Sequence, residues 1–393
     1  MVDEHKLQSG LKEKVLIVAS KPNMIQKFNR RNIKMLQNMG FEVHVATNVI
    51  DFGSVSVEEI ERFKNWLHEN NVVLHQVDFG RKLGTLSSNL QSVRQLDTIF
   101  KLHRFRFTHV HSPLGSILGR LVAKKHKVPV MYTAHGFHFL KNGPTSAWLI
   151  FFPLEWFFSF ITDTLITIND DDYSIARRYM HARNVVKING IGVDIKTAWN
   201  VSANDKYLAR KKIRDELNIP EDAFVISSVG ELNDNKNHRI VLEAIKLLPD
   251  EQKDNIYYLI AGVGENKELL TNLAKTMKFK NNFKLIGYRS DIHDINYASD
   301  VAIFPSYREG LGIAGLDAVV DGTYLIGSNV RGIKDYIFDE TIGKIFQPND
   351  AQKLSDHILE AFNQRLKVPH NESLLAFDTD EVDKKMAQYY SNM

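Results

Sequence analysis

The sequence predicts an α/β protein of two Rossmann-like, doubly wound domains that face a cleft. Three observations carry this. The chain has 393 residues, more than one ordinary core accommodates. Short apolar runs alternate with amphipathic stretches, the pattern of a parallel sheet covered on both faces. The alternation runs once, breaks near Asp194–Trp199, and starts again.

Taken in order, Val15–Ala19, Val43–Ala46, Val72–Val77, Thr108–His111, Val128–Tyr132 and Leu165–Ile168 read as strands of a first domain, residues 1–196. Ile25–Met39 and Leu114–Lys125 read as helices between them. In the second domain, residues 197–377, the strands are Phe224–Val229, Tyr257–Ala261, Phe283–Ile286, Val301–Phe304, Tyr324–Ile326 and Lys344–Phe346. Its helices are Arg239–Leu248, Asn266–Met277 and Ala351–Phe362. A turn at Phe377–Asp380 precedes a helical tail, Glu381–Tyr390. Open sheets of this kind bind ligands beyond the carboxyl ends of their strands, so the loops there hold the candidate residues.

Composition narrows the chemistry. There are no cysteines, which excludes disulfides, thiolate metal sites and a thiol nucleophile and fits a reducing compartment. The N-terminal stretch has no apolar core of a signal peptide, and no run is long enough to cross a bilayer. Charge is uneven: residues 1–196 hold 26 Lys and Arg against 17 Asp and Glu, and the remainder 24 against 30. Residues 101–150 hold eight basic residues and no acid. Such a half suits an anionic surface or substrate, or is simply a solvated face. No fixed-period repeat, low-complexity tract, zinc motif or nucleic-acid motif is found.

The most informative stretch is Pro305–Gly322, "PSYREGLGIAGLDAVVDG". A buried strand ends, a turn carries Arg308, Glu309, Gly310, Leu311 and Gly312, and an apolar helix begins near Ile313. Glycines admit a ligand to the backbone, and a helix N-terminus offers free N–H groups and partial positive charge, so the turn can hold an anion. Glu309 and Asp317 are acids near that site, suited as acceptors for sugar hydroxyls; by themselves they read equally well as a solvated loop and helix face.

"SYREGLGIAGLDA" resembles the Glu–seven residues–Glu signature of retaining glycosyltransferases of family 4, with Asp317 at the second acid. "ASKPNMIQKFNRRN", which lacks a glycine-rich loop, resembles the capsule and exopolysaccharide subgroup, as do "FEVHVATN", "HVHSPLGSILGRLVAKK" and "SNVRGIKDYI". The resemblance runs from about Val15 to Tyr336 and implies a GT-B fold whose C-terminal tail, residues 378–393, packs back on the first domain. It implies a metal-independent, retaining hexosyltransferase with a UDP-sugar as donor substrate and no other cofactor. The implied acceptor is a lipid-linked saccharide or oligosaccharide, and the implied place is the cytoplasm or the inner face of the cell membrane. Nucleic acid is not expected; self-association is left open.

The resemblance also assigns residues. Glu309 would hold donor-sugar hydroxyls and Asp317 the ribose. Lys236, in "SVGELNDNKNHRIVLEA", would meet the diphosphate with the Gly310–Ile313 N–H groups. Glu231 stands where relatives carry an Arg, and Arg308 would compensate. Gly287, Tyr288 and Arg289 would lie along the base, chiefly through backbone. In "TAHGFHF", His135 would touch the donor sugar, with Gly136, Phe137, His138 and Lys141 toward the acceptor beside Ser20 and Asn23. His135 and His138 could otherwise be metal ligands or core histidines; no acid in 101–150 completes a metal site. Asp170–Asp172 is the other metal candidate, but it opens a helix, where acids complement the dipole.

"PTSAWLIFFPLEWFFSFITD" is the most aromatic region, read either as a buried helix or as a face that touches lipid. Two other functions stay open: a UDP-sugar epimerase of GT-B fold, and a non-catalytic partner of a glycosyltransferase.

Overall fold

The computed structural model describes residues 12–51, 56–80, 84–111, 113–139, 143 and 145–393. The chain forms two compact units, one up to Ile191 together with Val382–Met393, the other Gly192–Glu381. The break thus falls at Ile191 rather than Lys196, and the second unit extends to Glu381.

The first unit is a seven-stranded parallel sheet. Its strands are β1 (Lys14–Ala19), β2 (Glu42–Thr47), β3 (Val73–Gln76), β4 (Phe105–His111), β5 (Val130–Ala134), β6 (Thr164–Thr167) and β7 (Asn184–Lys187). They lie in the order β3-β2-β1-β4-β5-β6-β7, so the winding reverses between β1 and β4. β1, β4 and β5 are almost continuously buried because helices cover both faces. Leu16, Val18, Val110, Leu118 and Phe139 centre one core cluster.

Three differences from the sequence reading have local causes. The helix expected over Ile25–Met39 is two, Pro22–Phe28 and Arg30–Asn38. The buried Asn29 between them departs from helical geometry and turns its side chain back onto the Met24 carbonyl. β5 begins at Val130, not Val128, because Val128 still closes the preceding helix through the Ala123 carbonyl, and Lys127 sits at φ +57°. β7 has a polar, half-exposed edge sequence without an apolar run, so its pattern gave no strand signal.

The tail helix, Thr379–Ser391, buries Val382, Met386 and Tyr390. Tyr390 packs on Phe107, and its hydroxyl lies 2.8 Å from Nδ1 of the buried His109. Arg31 clamps the same helix through Asp383 and donates to the Ile191 carbonyl.

The second unit repeats the winding with six strands: β8 (Phe224–Val229), β9 (Ile256–Ala261), β10 (Phe283–Leu285), β11 (Val301–Phe304), β12 (Tyr324–Ser328) and β13 (Gly343–Phe346). Their order is β10-β9-β8-β11-β12-β13, with the reversal between β8 and β11. Asp300, buried just before β11, accepts from Arg214, Arg210 and the Val225 amide and so ties the helix Ala203–Glu216 to the sheet. That helix and Val57–Glu69, Leu86–Leu102 and Asp170–Tyr179 are polar enough on their outer faces to blur the apolar pattern.

The helix Thr145–Ser159 departs furthest from burial. Its fully buried residues are Phe158 and Ser159, while Leu149 is 73% and Phe157 60% exposed. The helix is half-buried: Ala147, Trp148, Phe151 and Phe152 pack against the core cluster while the other face is exposed. No helix among the described residues is long and apolar enough to cross a membrane. The basic stretch is also less free than its sequence suggests: Lys101, Lys125 and His126 converge on Asp97, and the buried Arg120 faces Glu155.

Tyr390→Phe is expected to lower stability by about 1–3 kcal/mol, because it leaves a buried imidazole nitrogen of His109 without its partner. Urea denaturation checks this; an unchanged midpoint would show that the contact contributes nothing.

Candidate functional site

The reversal between β8 and β11 sets two loops side by side, and the candidate donor residues sit on them. After β8 the chain passes Gly230 and Glu231 and makes a short 3-10 turn, Asp234–Lys236, capped by the Asn233 side chain. Lys236 is the last residue of that turn. Asn237 follows at φ +53°, and the helix starts at Arg239. Asn237 anchors the turn to the Pro305 and Pro348 carbonyls, and Asn235 bonds the Arg308 carbonyl and accepts the Tyr307 amide.

This lacing brings Lys236 and Glu309, 73 residues apart, to a salt bridge of 2.6 Å. Both side chains are mostly covered, and the Lys236 ammonium also lies 4.8 Å over the Phe304 ring. Gly230 leaves room for the lysine stem: a Cβ there would come within 3.2 Å of it. Beyond Glu309, Gly310 and Leu311 lead to Gly312, at φ +82°, the N-cap of the helix Ile313–Val320. A Cβ on Gly312 would stand 2.8 Å from the Phe304 ring, so both conformation and space require glycine. No side chain caps this helix.

Asp317, half-buried one face further along, has its carboxyl pushed up to about 6 by burial; His293 opposes the shift and Asp321 adds to it. Asp321 itself binds His293 at 2.9 Å and Asn296 at 2.7 Å. Glu231 is exposed, and its carboxylate accepts from the Asn233 side chain. Arg308 is exposed against Asn235. Gly287 is left-handed and pairs with Gly262; Tyr288 is 81% exposed.

In the first unit His135 and Gly136 follow the carboxyl end of β5, with Gly136 at φ +121°. His135 Nε2 lies 3.0 Å from Nδ1 of His111, at the end of β4, and its ring packs on Phe28. Burial pulls the His135 imidazole down to about 4 and His109 to about 3, so both rings are neutral at neutral pH. The Phe137 amide donates to Asp172, which the Asn169 side chain also reaches. Asp170 pairs with Lys187. The Asp170–Asp172 run is thus engaged in holding the turn. His138 is exposed beside Phe151, Ser20 is buried after β1, and Asn23 is half-buried in the helix that carries Phe28. Lys141 lies outside the described residues.

Comparison with known proteins bears on this arrangement. Residues 25–189 match the glycosyl transferase 4-like domain and residues 209–374 the glycosyl transferases group 1 family. The chain is 29% identical over 389 residues to EpsD of Bacillus subtilis, a protein named as a glycosyltransferase, covering 96% of each. It is 30% identical over 293 residues to the UDP-Gal:α-D-GlcNAc-diphosphoundecaprenol α-1,3-galactosyltransferase of Escherichia coli, covering 72% of this chain and 73% of that one. The chain belongs to the group 1 glycosyl transferases. Its fold is GT-B: HepE of Anabaena, solved in complex with UDP and glucose, superposes with a TM-score of 0.74 at 16% identity, covering 98% of this chain and all of that one.

In this glycosyltransferase the Arg289 guanidinium is held by Glu216 and Asp291, at 2.5 to 3.1 Å, and those acids raise its pKa further. Two residues of the site region went unassigned. Arg331 donates to the Glu309 carbonyl and Tyr336 to the Gly312 carbonyl, so both brace the Glu309–Gly312 turn. The signal was the stretch Ser328–Ile337, matched as sequence without roles.

The sign of the Asp317 shift gives a test. Its carboxyl binds a proton more tightly folded than unfolded, so its contribution is fully present below about pH 4 and is lost as pH rises through about 6. Asp317→Asn is expected to raise the unfolding midpoint at pH 8, with the gain vanishing by pH 4. A variant less stable than wild type at pH 8 would contradict the burial account.

Proposed function

We propose that this glycosyltransferase moves a hexosyl group, with retention and without a metal ion, from a UDP-sugar to a lipid-linked saccharide in capsular or exopolysaccharide biosynthesis. The observation that carries the reading is the Lys236–Glu309 pair beside the uncapped helix start at Gly312. An ammonium and free N–H groups suit a diphosphate; the adjoining carboxylate suits the hydroxyls of the sugar it carries. The galactosyltransferase relative, whose name states a UDP-sugar donor and a diphosphoundecaprenol-linked acceptor, supports the choice of substrates.

In such a transfer the bond between the anomeric carbon and the diphosphate oxygen breaks, and a bond to the acceptor oxygen forms on the same face. The acceptor proton passes to the departing diphosphate. Charge then grows on the diphosphate, where Lys236 and the Gly310–Ile313 N–H groups would stabilise it without a cation. Glu309 would orient the sugar ring, Asp317 the ribose, and the neutral His135 would donate or accept at a sugar hydroxyl without adding charge. The acids at Asp170–Asp172 are already bonded to backbone, Asn169 and Lys187.

Lys236→Ala is expected to weaken UDP by about 1.5–3 kcal/mol and uridine hardly at all, since the ammonium would meet only the diphosphate. Glu309→Gln should keep most UDP affinity but slow transfer about a hundredfold. Calorimetry with uridine and UDP, and turnover in excess EDTA, read both; equal losses for uridine and UDP, or an unchanged Glu309→Gln rate, refute the assignments.

We also place the protein peripherally on an anionic membrane, through the apolar residues that Thr145–Ser159 leaves exposed. Cosedimentation with phosphatidylglycerol vesicles is expected to drop for the double variant Leu149→Ser, Phe157→Ser, and to fall with salt. Indifference to both would leave this helix without a lipid role.

A further inference from the structure

Away from the candidate site, three histidines meet at the opposite edge of the first sheet. His44 lies in β2, His75 in β3, and His103 closes the helix Leu86–Leu102 just before β4. One ring nitrogen from each lies within 4.8 Å of the other two. By contrast, His111 and His135 lie at the carboxyl ends of β4 and β5.

The hydrogen bonding gives each ring a role. His44 Nε2 is 2.8 Å from the Glu42 carboxylate, which leaves its Nδ1 directed at His75 Nε2, also 2.8 Å away. His103 Nδ1 is buried and has no hydrogen-bond partner. Its ring centre stands 4.6 Å from that of His44 and 5.2 Å from that of His75. Phe105 closes the cluster edge-on to His44. A lone buried ring nitrogen is costly, and the His44 and His75 rings stand beside this one.

We propose that His44 Nδ1, His75 Nε2 and His103 Nδ1 bind a divalent transition cation of the zinc class, with water in the fourth position. Imidazole donors suit such ions. Bonds of about 2.0–2.1 Å at tetrahedral angles set ligand nitrogens about 3.3 Å apart, between the 2.8 Å of the His44–His75 pair and the 4.8 Å within which all three lie, so side-chain rotations complete the site. Glu42 takes the second ring nitrogen of His44 and fixes which nitrogen is free, the carboxylate–histidine–metal arrangement. Its charge also offsets Lys14, 3.5 Å from the same carboxylate. The ion would join β2, β3 and the approach to β4. His75 and His103 are only half-buried, which gives the ion a way in.

The test uses the full chain stripped with EDTA and titrated with cobalt(II), then zinc. One equivalent of cobalt is expected to bind with the intense visible absorption of a tetrahedral site, and zinc to displace it. X-ray absorption of the zinc form should show three imidazoles. Glu42→Gln should weaken binding about 10–100-fold, and His103→Gln by more. His293→Gln, an exposed ring in the other unit, should change nothing. Absence of a one-to-one complex in wild type, binding that survives both His75→Gln and His103→Gln, or fewer than three imidazoles in the absorption spectrum would each overturn the assignment. The absorption measurement needs no variant, so a misfolded mutant does not shelter the proposal.

Discussion

The structure of each unit depends on one constraint: parallel strands joined by right-handed crossovers, with the winding reversed after the first three. The reversal makes β8 and β11 neighbours although their paired residues Ile226 and Val301 lie 75 positions apart in the chain. Loops that the sequence keeps far apart are thereby set against each other, with no helix between them. Asn235 and Asn237 then use side-chain amides to fix the two loops at hydrogen-bond distance. The Lys236–Glu309 contact is a result of this lacing, since neither residue could find the other through local structure.

That layering explains what could be read in advance. β8 and β11 were legible to the residue because both faces of each are buried and every position is apolar or small. The edge strand β7 was not, since half of its surface is solvated and it needs no apolar run. Glu309, Gly310 and Gly312 could be placed on a turn after a strand because glycine spacing and the following apolar helix are local signals. The pairing of Glu309 with Lys236 was not local, and the capture of Arg289 by Glu216 spans 73 residues. Arg331 and Tyr336 brace the turn through its carbonyl oxygens, a role that any donor of suitable length could fill and that carries no motif.

Burial acts in opposite directions on the two kinds of titratable group. It keeps His109 and His135 neutral, so the first unit presents imidazoles as hydrogen-bonding groups rather than cations. It makes the charge on Asp317 costly, which loads the helix Ile313–Val320 with strain that a hydroxyl donor would relieve. The histidines are held by neighbours on β4 and β5 and by the tail helix, through Thr133 and Tyr390. Their geometry is therefore a property of the folded unit as a whole.

The ion pair between Lys236 and Glu309 also sets a cost on any anion that would compete for the ammonium. Inorganic phosphate or a simple carboxylate could draw the ammonium away only by leaving Glu309 partly buried and without its counter-charge. A ligand that brings hydroxyl donors together with its negative charge satisfies both halves at once. In the proposed function the resting pair would thus discriminate against small anions that bring no hydroxyl donor.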